Sequence, residues 1–490
     1  MTVLVVFVVY LVALAAIGAY CVRFNRSLAD FVLGGRRLGP WVAALSAQAS
    51  DMSAWLLIGL PATAYAQGLS ALWAAVGCGA GTVFNWLVVA PRLRRESERH
   101  GALTIPDYLA ARFPEGRVRL VLPLAVGVIL LAYATYIASQ FIAAGKIFQT
   151  TLEQVGLDLG SHPYHVGMLT GVGIILLYTA LGGFMAVAWT DLLQGILMVT
   201  TVVVLPIVGL VGLGGLAVLW GRLEGANPAL LGLAGAEGAS GLAFWMGVVA
   251  ANLSWGLGYP GQPHILARFM ALRDPREMRR AALIGITWVI LAMWGAIFVG
   301  LVGRAFFGNL ADPDHVMPRL ALRLVHPVVA GTMIAAAMAA IMSTVDSQLL
   351  VAASAVEQDI YIRYFGGHPG DRPAVWIGRL TVLVLGALAL PIAWNPASVY
   401  NTVFNAWGVL AAGLGPVVCL GLLSRRTNRW GAAVGMLVGM AVAQLWPEIK
   451  PLFGGDLLFR NGLIPGFFLN LALAYLVSLA TPTERTRQAR

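Results

Sequence analysis

Three polar clusters interrupt the apolar stretches of this 490-residue chain. The first, over residues 46–53, reads Ser-Ala-Gln-Ala-Ser-Asp-Met-Ser near the middle of an apolar run. A charged side chain at the centre of a bilayer is costly, so an acid such as Asp51 usually faces a wet cavity or an ion. The alternative is a protonated or locally hydrogen-bonded Asp51 that only stabilises packing.

The second cluster, over residues 252–263, reads Asn-Leu-Ser-Trp-Gly-Leu-Gly-Tyr-Pro-Gly-Gln-Pro. Glycine and proline at this density interrupt the hydrogen-bond ladder of a helix, and the freed carbonyls and amides need other partners. Two interrupted helices in corresponding places indicate a transporter built from inverted repeats. Two unrelated kinked helices are the alternative.

The third cluster follows the small residues 335–340 and contains Ser343 and Thr344. Small residues permit close approach of helices, and the two hydroxyls supply neutral oxygens. A hard cation such as sodium is bound by several oxygens, and a broken helix can release carbonyls for this purpose. Bonding of both hydroxyls to the preceding turn of their own helix is the alternative.

Two further positions carry polar groups within apolar stretches. Tyr136, Ser139 and Gln140 lie on one face of a predicted helix. Asp191 opens another helix after Trp189 and Thr190, where it either caps that helix or lines an ion route.

The composition indicates that lipid is the solvent around these clusters. Apolar residues make up 59% and charged residues 11% of the chain, and the mean hydropathy is +0.80. Soluble domains carry roughly 25% charged residues. The net charge of +10 comes from short loops and not from a basic stripe with aromatics, so nucleic-acid binding is not expected.

A membrane span needs about 20 apolar residues, and thirteen runs qualify as spans. In chain order, we name them segments 1 to 13: 3–22, 40–66, 70–90, 120–148, 164–182, 188–213, 240–261, 281–303, 328–353, 376–393, 400–422, 430–447 and 462–480. The interrupted segments 2 and 7 are five spans apart in the chain. Because successive spans cross the membrane in alternating directions, this odd offset means that segments 2 and 7 cross it in opposite directions. Within a single domain, 1–490, we therefore predict inverted repeats over segments 2–6 (about 40–213) and 7–11 (about 240–422). Segments 1, 12 and 13 are then peripheral.

The loops differ strongly in basic residues. One alternate set of loops and termini, which includes the run from Arg268 to Arg280, holds 25 of the 32 Lys and Arg residues. Because cytoplasmic loops carry the excess of Lys and Arg, we predict an external N-terminus and a cytoplasmic C-terminus.

Seven motifs, in order along the chain, carry a family resemblance. They are LGGRRLGP (33–40), ALSAQASDMSAWLLIGLP (44–61), LTIPDYLAARF (103–113), TALGGFMAVAWTD (179–191), SWGLGYPGQPHILARFMA (254–271), AAIMSTVDSQLL (339–350) and GPVV (415–418). The chain resembles the sodium:solute symporter family, and most closely its bacterial sodium/proline members. The resemblance implies an all-α integral membrane protein of about 13 transmembrane helices, with a LeuT-like fold and two inverted five-helix repeats.

The resemblance also implies roles for particular positions in sodium-coupled import of L-proline across a bacterial inner membrane by alternating access. The implied sodium ligands are the carbonyls of Ala49, Met52 and Ala340 and the hydroxyls of Ser343 and Thr344. The implied ion-coupling residues are Asp51, Ser46, Ser53 and Arg36, and the implied proline pocket comprises Tyr136, Trp255, Tyr259 and Pro263. Asp191, Asp346 and Ser347 form a candidate second ion route, because some members bind a second sodium there. Sodium is the expected cofactor, and no protein partner is expected.

The chain departs from the family pattern at several positions. Ala54 replaces a glycine, Gln48 and Gln140 replace small residues, and Asp346 adds a carboxylate near the ion route. Another small solute of the family, such as pantothenate, sialate or a short carboxylate, is the alternative to proline. No charge ring indicates a channel, and no HExxH pair indicates an intramembrane enzyme.

Overall fold

The computed structural model describes residues 2–21, 32–114, 119–154, 156, 162–179, 184–367, 372–453 and 461–481. Helices and their connecting loops make up these residues, and the β-pairing among them is a single isolated bridge between Leu38 and Leu272. The all-α class predicted from the sequence is therefore confirmed.

Each of the thirteen segments is helical within the described residues. In chain order the helices are Thr2–Cys21; Pro40–Ala54 with Leu60–Gln67; Leu72–Phe84 with Ala90–Arg99; Val121–Gln154; Pro163–Thr179; Phe184–Leu213; Ala251–Leu253 with Pro263–Met270; Met278–Phe307; Pro327–Ser354; Arg372–Ala393; Val399–Leu423; Arg429–Gln444; and Leu463–Ala480. Shorter helices in the connections are Ile105–Arg112, Leu216–Ala226, Val316–Leu324 and Trp446–Ile449.

By length and hydropathy, 8 described helical stretches can cross a membrane. The number rises to 9 if the two helices Arg429–Gln444 and Trp446–Leu452, which are bent relative to each other, form one span. One of these stretches, Pro40–Arg99, holds both segment 2 and segment 3. The multi-pass architecture is therefore shown, while the number thirteen stays a prediction.

Three segments contain wide turns or breaks where the α-helical ladder is interrupted. Segments 2 and 3 include π-helical turns at Trp55–Gly59 and Asn85–Val89. A further π-helical turn, Ala355–Tyr364, directly follows the helix of segment 9. Segment 7 begins as a π-helix and then passes through a 3₁₀ stretch at Ser254–Gly261. Bulges and 3₁₀ stretches inside helices often mark functional sites, and the breaks in segments 2 and 7 are those predicted from the sequence.

The remaining segments pack around these broken helices. Segment 1 lies against segments 6 and 9, and segments 12 and 13 lie against each other and against segment 11. The peripheral place of segments 1, 12 and 13 and the division into two five-helix repeats stay predictions.

Segment 3 crosses the break of segment 7 at very short range. A Cβ atom on Gly77 would lie 2.7 Å from the carbonyl oxygen of Leu253, and one on Gly256 would lie 2.5 Å from that of Gly77. Real Cβ atoms essentially never come this close. Glycine at both positions therefore permits the two backbones to touch.

Candidate functional site

Segment 2 breaks at one residue, Ser53. Its φ is 50° and its ψ is −169°, in a positive-φ region that non-glycine residues rarely adopt. Side chains take up the amides that this break frees: the Ala54 N–H donates to Gln140 Oε1 at 2.9 Å, and the Trp55 N–H donates to Ser53 Oγ at 3.1 Å. The amides just after the break therefore already have partners.

The carbonyls just before the break meet the hydroxyls of segment 9. Ser343 Oγ donates to the carbonyl of Ala49 at 2.9 Å and lies 3.1 Å from that of Ala340, and Thr344 Oγ1 donates to that of Ser50 at 3.0 Å. Four of the five implied sodium ligands thus lie in one buried cluster. The fifth, the Met52 carbonyl, accepts the Trp55 N–H within the turn.

A small cavity of about 10 Å³, room for one water molecule, adjoins this break. Its lining residues come from segments 2, 3, 4, 7 and 11: Asp51, Met52, Trp55, Cys78, Tyr136, Trp255, Tyr259, Val403 and Trp407. Among the described residues, Asp51 Oδ2 and Trp55 Nε1 have no hydrogen-bond partner. One wall of the cavity thus offers a carboxylate acceptor and an indole donor, which suits a small solute that carries both an ammonium and a carboxylate.

Aromatic rings close the cavity toward a larger opening. Trp255 stacks on Phe404 with ring centroids 4.5 Å apart, lies 4.7 Å from Trp55, and donates from Nε1 to Tyr400 Oη at 3.0 Å. Tyr400 and Phe404 also line a vestibule of about 780 Å³, together with Asn252. A solute passing from the vestibule to the cavity must therefore move these rings.

The freed carbonyls of segment 7 are met by nitrogen donors. Asn85 Nδ2 donates to the carbonyl of Tyr259 at 3.2 Å, and Trp407 Nε1 donates to that of Trp255 at 3.0 Å. Pro263 is the first residue of the short helix after the break and is not among the residues that line the cavity. Of the implied proline pocket, the structure brings Tyr136, Trp255 and Tyr259 to the cavity.

A second buried polar cluster surrounds Arg268. Its guanidinium lies 3.1 Å from Asp191 Oδ2 and 2.5 Å from Ser347 Oγ, and its Nε lies 3.1 Å from Ser46 Oγ. Ser46 and Ser50 each donate to Asp191 Oδ2, at 2.7 and 3.0 Å. Asp191 is therefore an ion-pair partner of Arg268, bonded to segments 2 and 7.

The assignment of Arg268 to a basic loop is wrong, because its side chain is 0% exposed among four segments. Removing Arg268 from the count of loop Lys and Arg residues leaves the predicted orientation of the chain in the membrane unchanged. Asp346, which is also buried, lies within Coulombic range of Arg268 and of Tyr10 in segment 1.

Arg36 lies apart from both clusters. Its guanidinium donates to the carbonyl of Met270 at 2.7 Å, to that of Ala102 at 2.8 Å and to Ser97 Oγ at 3.2 Å. The residue thus ties the turn before segment 2 to the ends of segments 3 and 7. Any influence on ion coupling acts at a distance, through these loop ends.

Sequence reasoning missed four residues at the cavity: Trp55, Cys78, Val403 and Trp407. Trp55 stands two residues after the break, and its position within the quoted segment 2 motif was the available signal. Cys78, Val403 and Trp407 lie in plain apolar runs, where no local pattern separates a cavity wall from ordinary core.

Folds with two broken helices around a polar centre belong to secondary transporters, and solved structures of such proteins resemble this one. A sodium-coupled sialic acid symporter in a substrate-bound, outward-open state superposes with a TM-score of 0.79 at 19% identity, covering 98% of each chain. The nucleobase-cation symporter Mhp1 superposes with a TM-score of 0.59 at 17% identity, covering 94% of this chain and 96% of Mhp1. The chain therefore has the LeuT-like fold.

The sequence places the chain within one family of these transporters. Residues 31–439 match the model of the sodium:solute symporter family, and the chain belongs to this family. It is 39% identical to the high-affinity proline transporter PutP of Bacillus subtilis, over 95% of both chains. It is 37% identical to the osmoregulated proline transporter OpuE of the same species, over 96% of this chain and 94% of OpuE. It is 38% identical to a sodium/proline symporter of Staphylococcus aureus, over 96% of this chain and 91% of that protein.

Proposed function

We propose that this protein imports L-proline together with sodium across a bacterial inner membrane, by alternating access. One observation carries the proposal: a cluster of carbonyl and hydroxyl oxygens adjoins a small cavity at the break of segment 2. The relatives named as proline transporters supply the identity of the solute.

The oxygen cluster suits sodium. Ala49 and Ala340 offer carbonyls, and Ser343 and Thr344 offer hydroxyls that can turn their lone pairs toward a cation. Sodium is a hard cation that prefers such oxygens. Bound there, it would link segments 2 and 9 and also influence Asp51 two residues further along segment 2.

The groups that line the cavity suit proline, which would enter once the aromatic rings move apart. Proline is a zwitterion with one small apolar ring, so its site needs an acceptor, a donor and an apolar wall. Asp51 Oδ2 can accept from the ammonium, Trp55 Nε1 can donate to the carboxylate, and Tyr136, Trp255 and Tyr259 can enclose the ring. Because sodium and solute then share the break of segment 2, the binding of each strengthens the binding of the other.

The sodium gradient supplies the driving force. A membrane potential of about 100 mV contributes about 2.3 kcal/mol for each charge that moves inward. The proposal includes an external N-terminus, a cytoplasmic C-terminus, two inverted repeats over segments 2–6 and 7–11, and transport without catalysis.

Uptake by the purified protein in proteoliposomes tests the proposal. With sodium outside and potassium inside, we expect radiolabelled L-proline to accumulate, and we expect no accumulation when choline replaces sodium. Pantothenate, sialate and acetate are the comparison solutes. Sodium-driven accumulation of one of these in place of proline would contradict the solute assignment, and proline uptake unaffected by sodium would contradict the coupling.

A further inference from the structure

A proline interrupts the hydrogen-bond ladder of segment 11. Pro416 lies inside the helix Val399–Leu423. Because proline has no backbone N–H, it cannot donate to the carbonyl four residues before it, which is that of Ala412. The part of segment 11 before this interruption carries Val403 and Trp407, two residues that line the cavity. The freed carbonyl needs a donor from another part of the chain, since buried carbonyls are nearly always paired.

Asn470 of segment 13 supplies this donor. Its Nδ2 donates to the carbonyl of Ala412 at 2.6 Å and to that of Gly413 at 3.0 Å, and its side chain is 0% exposed. Both acceptors are carbonyl oxygens, so only the NH₂ side of the amide can face them. Among the described residues, Asn470 Oδ1 has no hydrogen-bond partner. The two carbonyls of segment 11 therefore set the orientation of this amide.

Neighbouring segments pack closely against segment 11 near the interruption. A Cβ atom on Gly439 of segment 12 would collide with the carbonyl oxygen of Ala412. A Cβ atom on Gly261, at the end of the break in segment 7, would lie 2.6 Å from the carbonyl oxygen of Leu410. Segment 11 thus touches the break of segment 7 and segment 12 at backbone range, and Asn470 adds a polar contact from segment 13.

The interruption lies close enough to the cavity for a small change in helix direction to matter. Val403 precedes Ala412 by nine residues, which is about 13.5 Å along a helix. A change of about 10° in helix direction at Ala412 would therefore move Val403 by about 2 Å. This exceeds the length of one carbon–carbon bond, about 1.5 Å. The direction of the first part of segment 11 thus bears on whether the cavity accepts one more ring carbon.

We infer that Asn470 is a positioning residue for the solute cavity. By donating to the carbonyl that Pro416 frees, it fixes the direction of the first part of segment 11 and so contributes to selectivity for the size of the solute ring. Asn470 is not among the residues that line the cavity, and it acts through Val403 and Trp407. The inference rests on the proposed function for the identity of the solute.

Competition between two ring sizes tests this inference. Pipecolate is the homologue of L-proline with one more methylene in its ring, and one methylene in an apolar pocket changes specificity by about 10- to 200-fold. We would measure sodium-driven uptake of both solutes into proteoliposomes and compare their kcat/KM values as a ratio, which does not depend on the amount of folded protein. Asn470→Leu removes the donor and keeps a side chain of similar size. It is expected to lower the preference for proline about tenfold.

The variant Pro416→Ala tests whether Pro416 and Asn470 act together. It restores a backbone N–H that can donate to the Ala412 carbonyl within the helix, so the Asn470 donor is no longer required there. In the Pro416→Ala background, we expect Asn470→Leu to change the ratio by less than about twofold. Equal effects of Asn470→Leu in both backgrounds would show that the two residues are independent and would overturn the inference.

The matched control is Ser478→Ala, which removes another buried polar group from segment 13. Ser478 Oγ donates to the carbonyl of Ala474 at 2.6 Å and accepts from the Asn428 N–H at 3.0 Å, next to segment 12. The wild-type ratio is expected in this variant. The same loss of preference in Ser478→Ala as in Asn470→Leu would contradict the inference, and so would a wild-type ratio in folded Asn470→Leu. If Asn470→Leu does not fold, Asn470→Ala removes the same donor and carries the same expectations.

A measurement without solute separates the inference from the proposed function. After incorporation of 5-fluorotryptophan, ¹⁹F NMR of the purified full-length protein follows Trp407, whose signal is assigned by its loss in Trp407→Phe. We expect this signal to shift in Asn470→Leu and to be the same in Pro416→Ala with and without Asn470→Leu. The signal of Trp86, which packs against Phe269, should stay in place. An unmoved Trp407 signal would overturn the inference, whereas a wild type without proline uptake would contradict the proposed function alone.

Discussion

The breaks of segments 2 and 7 free backbone carbonyls in the same part of the molecule, but different groups meet these carbonyls. At segment 2 the partners are the hydroxyls of Ser343 and Thr344. At segment 7 they are nitrogen donors, from Asn85 and Trp407.

This difference explains why one break suits a cation and the other a solute. A hydroxyl both donates and accepts, so it can release a carbonyl and join it in binding a cation. An indole or amide N–H only donates and would keep its hydrogen directed at the carbonyl. Segment 2 can therefore form an ion site, while segment 7 presents a fixed aromatic wall.

The largest effect is expected from Asp51→Asn, which tests whether the break of segment 2 needs its negative charge. Hydrogen bonds to charged groups contribute about 1.5–3 kcal/mol, so we expect uptake to fall by about 100-fold or to be lost. Sodium-dependent proline uptake at several sodium concentrations measures this. Asp274→Asn, at a half-buried loop position away from the break, is the control. Unchanged sodium dependence in Asp51→Asn would remove Asp51 from the mechanism.

Ser343→Ala and Thr344→Ala test the hydroxyls directly. Each removes one oxygen from the proposed ion site, so we expect the sodium concentration for half-maximal uptake to rise about tenfold, equivalent to about 1.4 kcal/mol. Thr332→Ala, which removes an exposed hydroxyl from the same segment, is the matched control. If both variants keep the sodium dependence of the wild type, the ion site must lie elsewhere in the protein.

Trp255→Ala tests the aromatic wall of segment 7. Aromatic pairs contribute about 0.5–1.5 kcal/mol beyond the area that they bury, so we expect the apparent proline constant to rise about 3- to 10-fold. The sodium constant should change less. Trp245→Ala removes a 60% exposed ring from the same segment and should change neither. A larger effect on sodium than on proline would contradict the division of roles between the two breaks.

The smallest effect on sodium is expected from Asn85→Ala. This change removes the Asn85 donor at 3.2 Å and leaves the Tyr259 carbonyl with only the Gln262 N–H at 3.4 Å, and the loss of one hydrogen bond costs about 0.5–1.5 kcal/mol. We expect a lower unfolding temperature and an unchanged sodium constant. A sodium constant raised as much as in Thr344→Ala would show that the carbonyls of segment 7 also bind the ion.

Local sequence patterns predicted much of the fold. Glycine and proline density identified the break of segment 7, and the polar run around Asp51 identified that of segment 2. Hydropathy placed all thirteen helical segments, although it does not establish how many of them cross the membrane.

Contacts between segments were harder to predict. Arg268 followed an apolar run and was assigned to a loop, because its partner Asp191 is 77 residues away in the chain. Gln140 was noted as a departure, but its bond to the Ala54 amide depends on how segment 4 packs against the break. Pro263 was assigned to the proline pocket by resemblance alone, and a motif does not specify which side chains turn toward a cavity.

The glycine contact between segments 3 and 7 limits how the cavity can vary in size. Gly77 and Gly256 already bring the two backbones together. At this contact there is therefore no side chain between segments 3 and 7 whose shortening would let segment 7 move away and enlarge the cavity. Val403 and Trp407, on segment 11, have side chains that could be shortened. A relative adapted to a bulkier solute would accordingly be expected to differ first on segment 11.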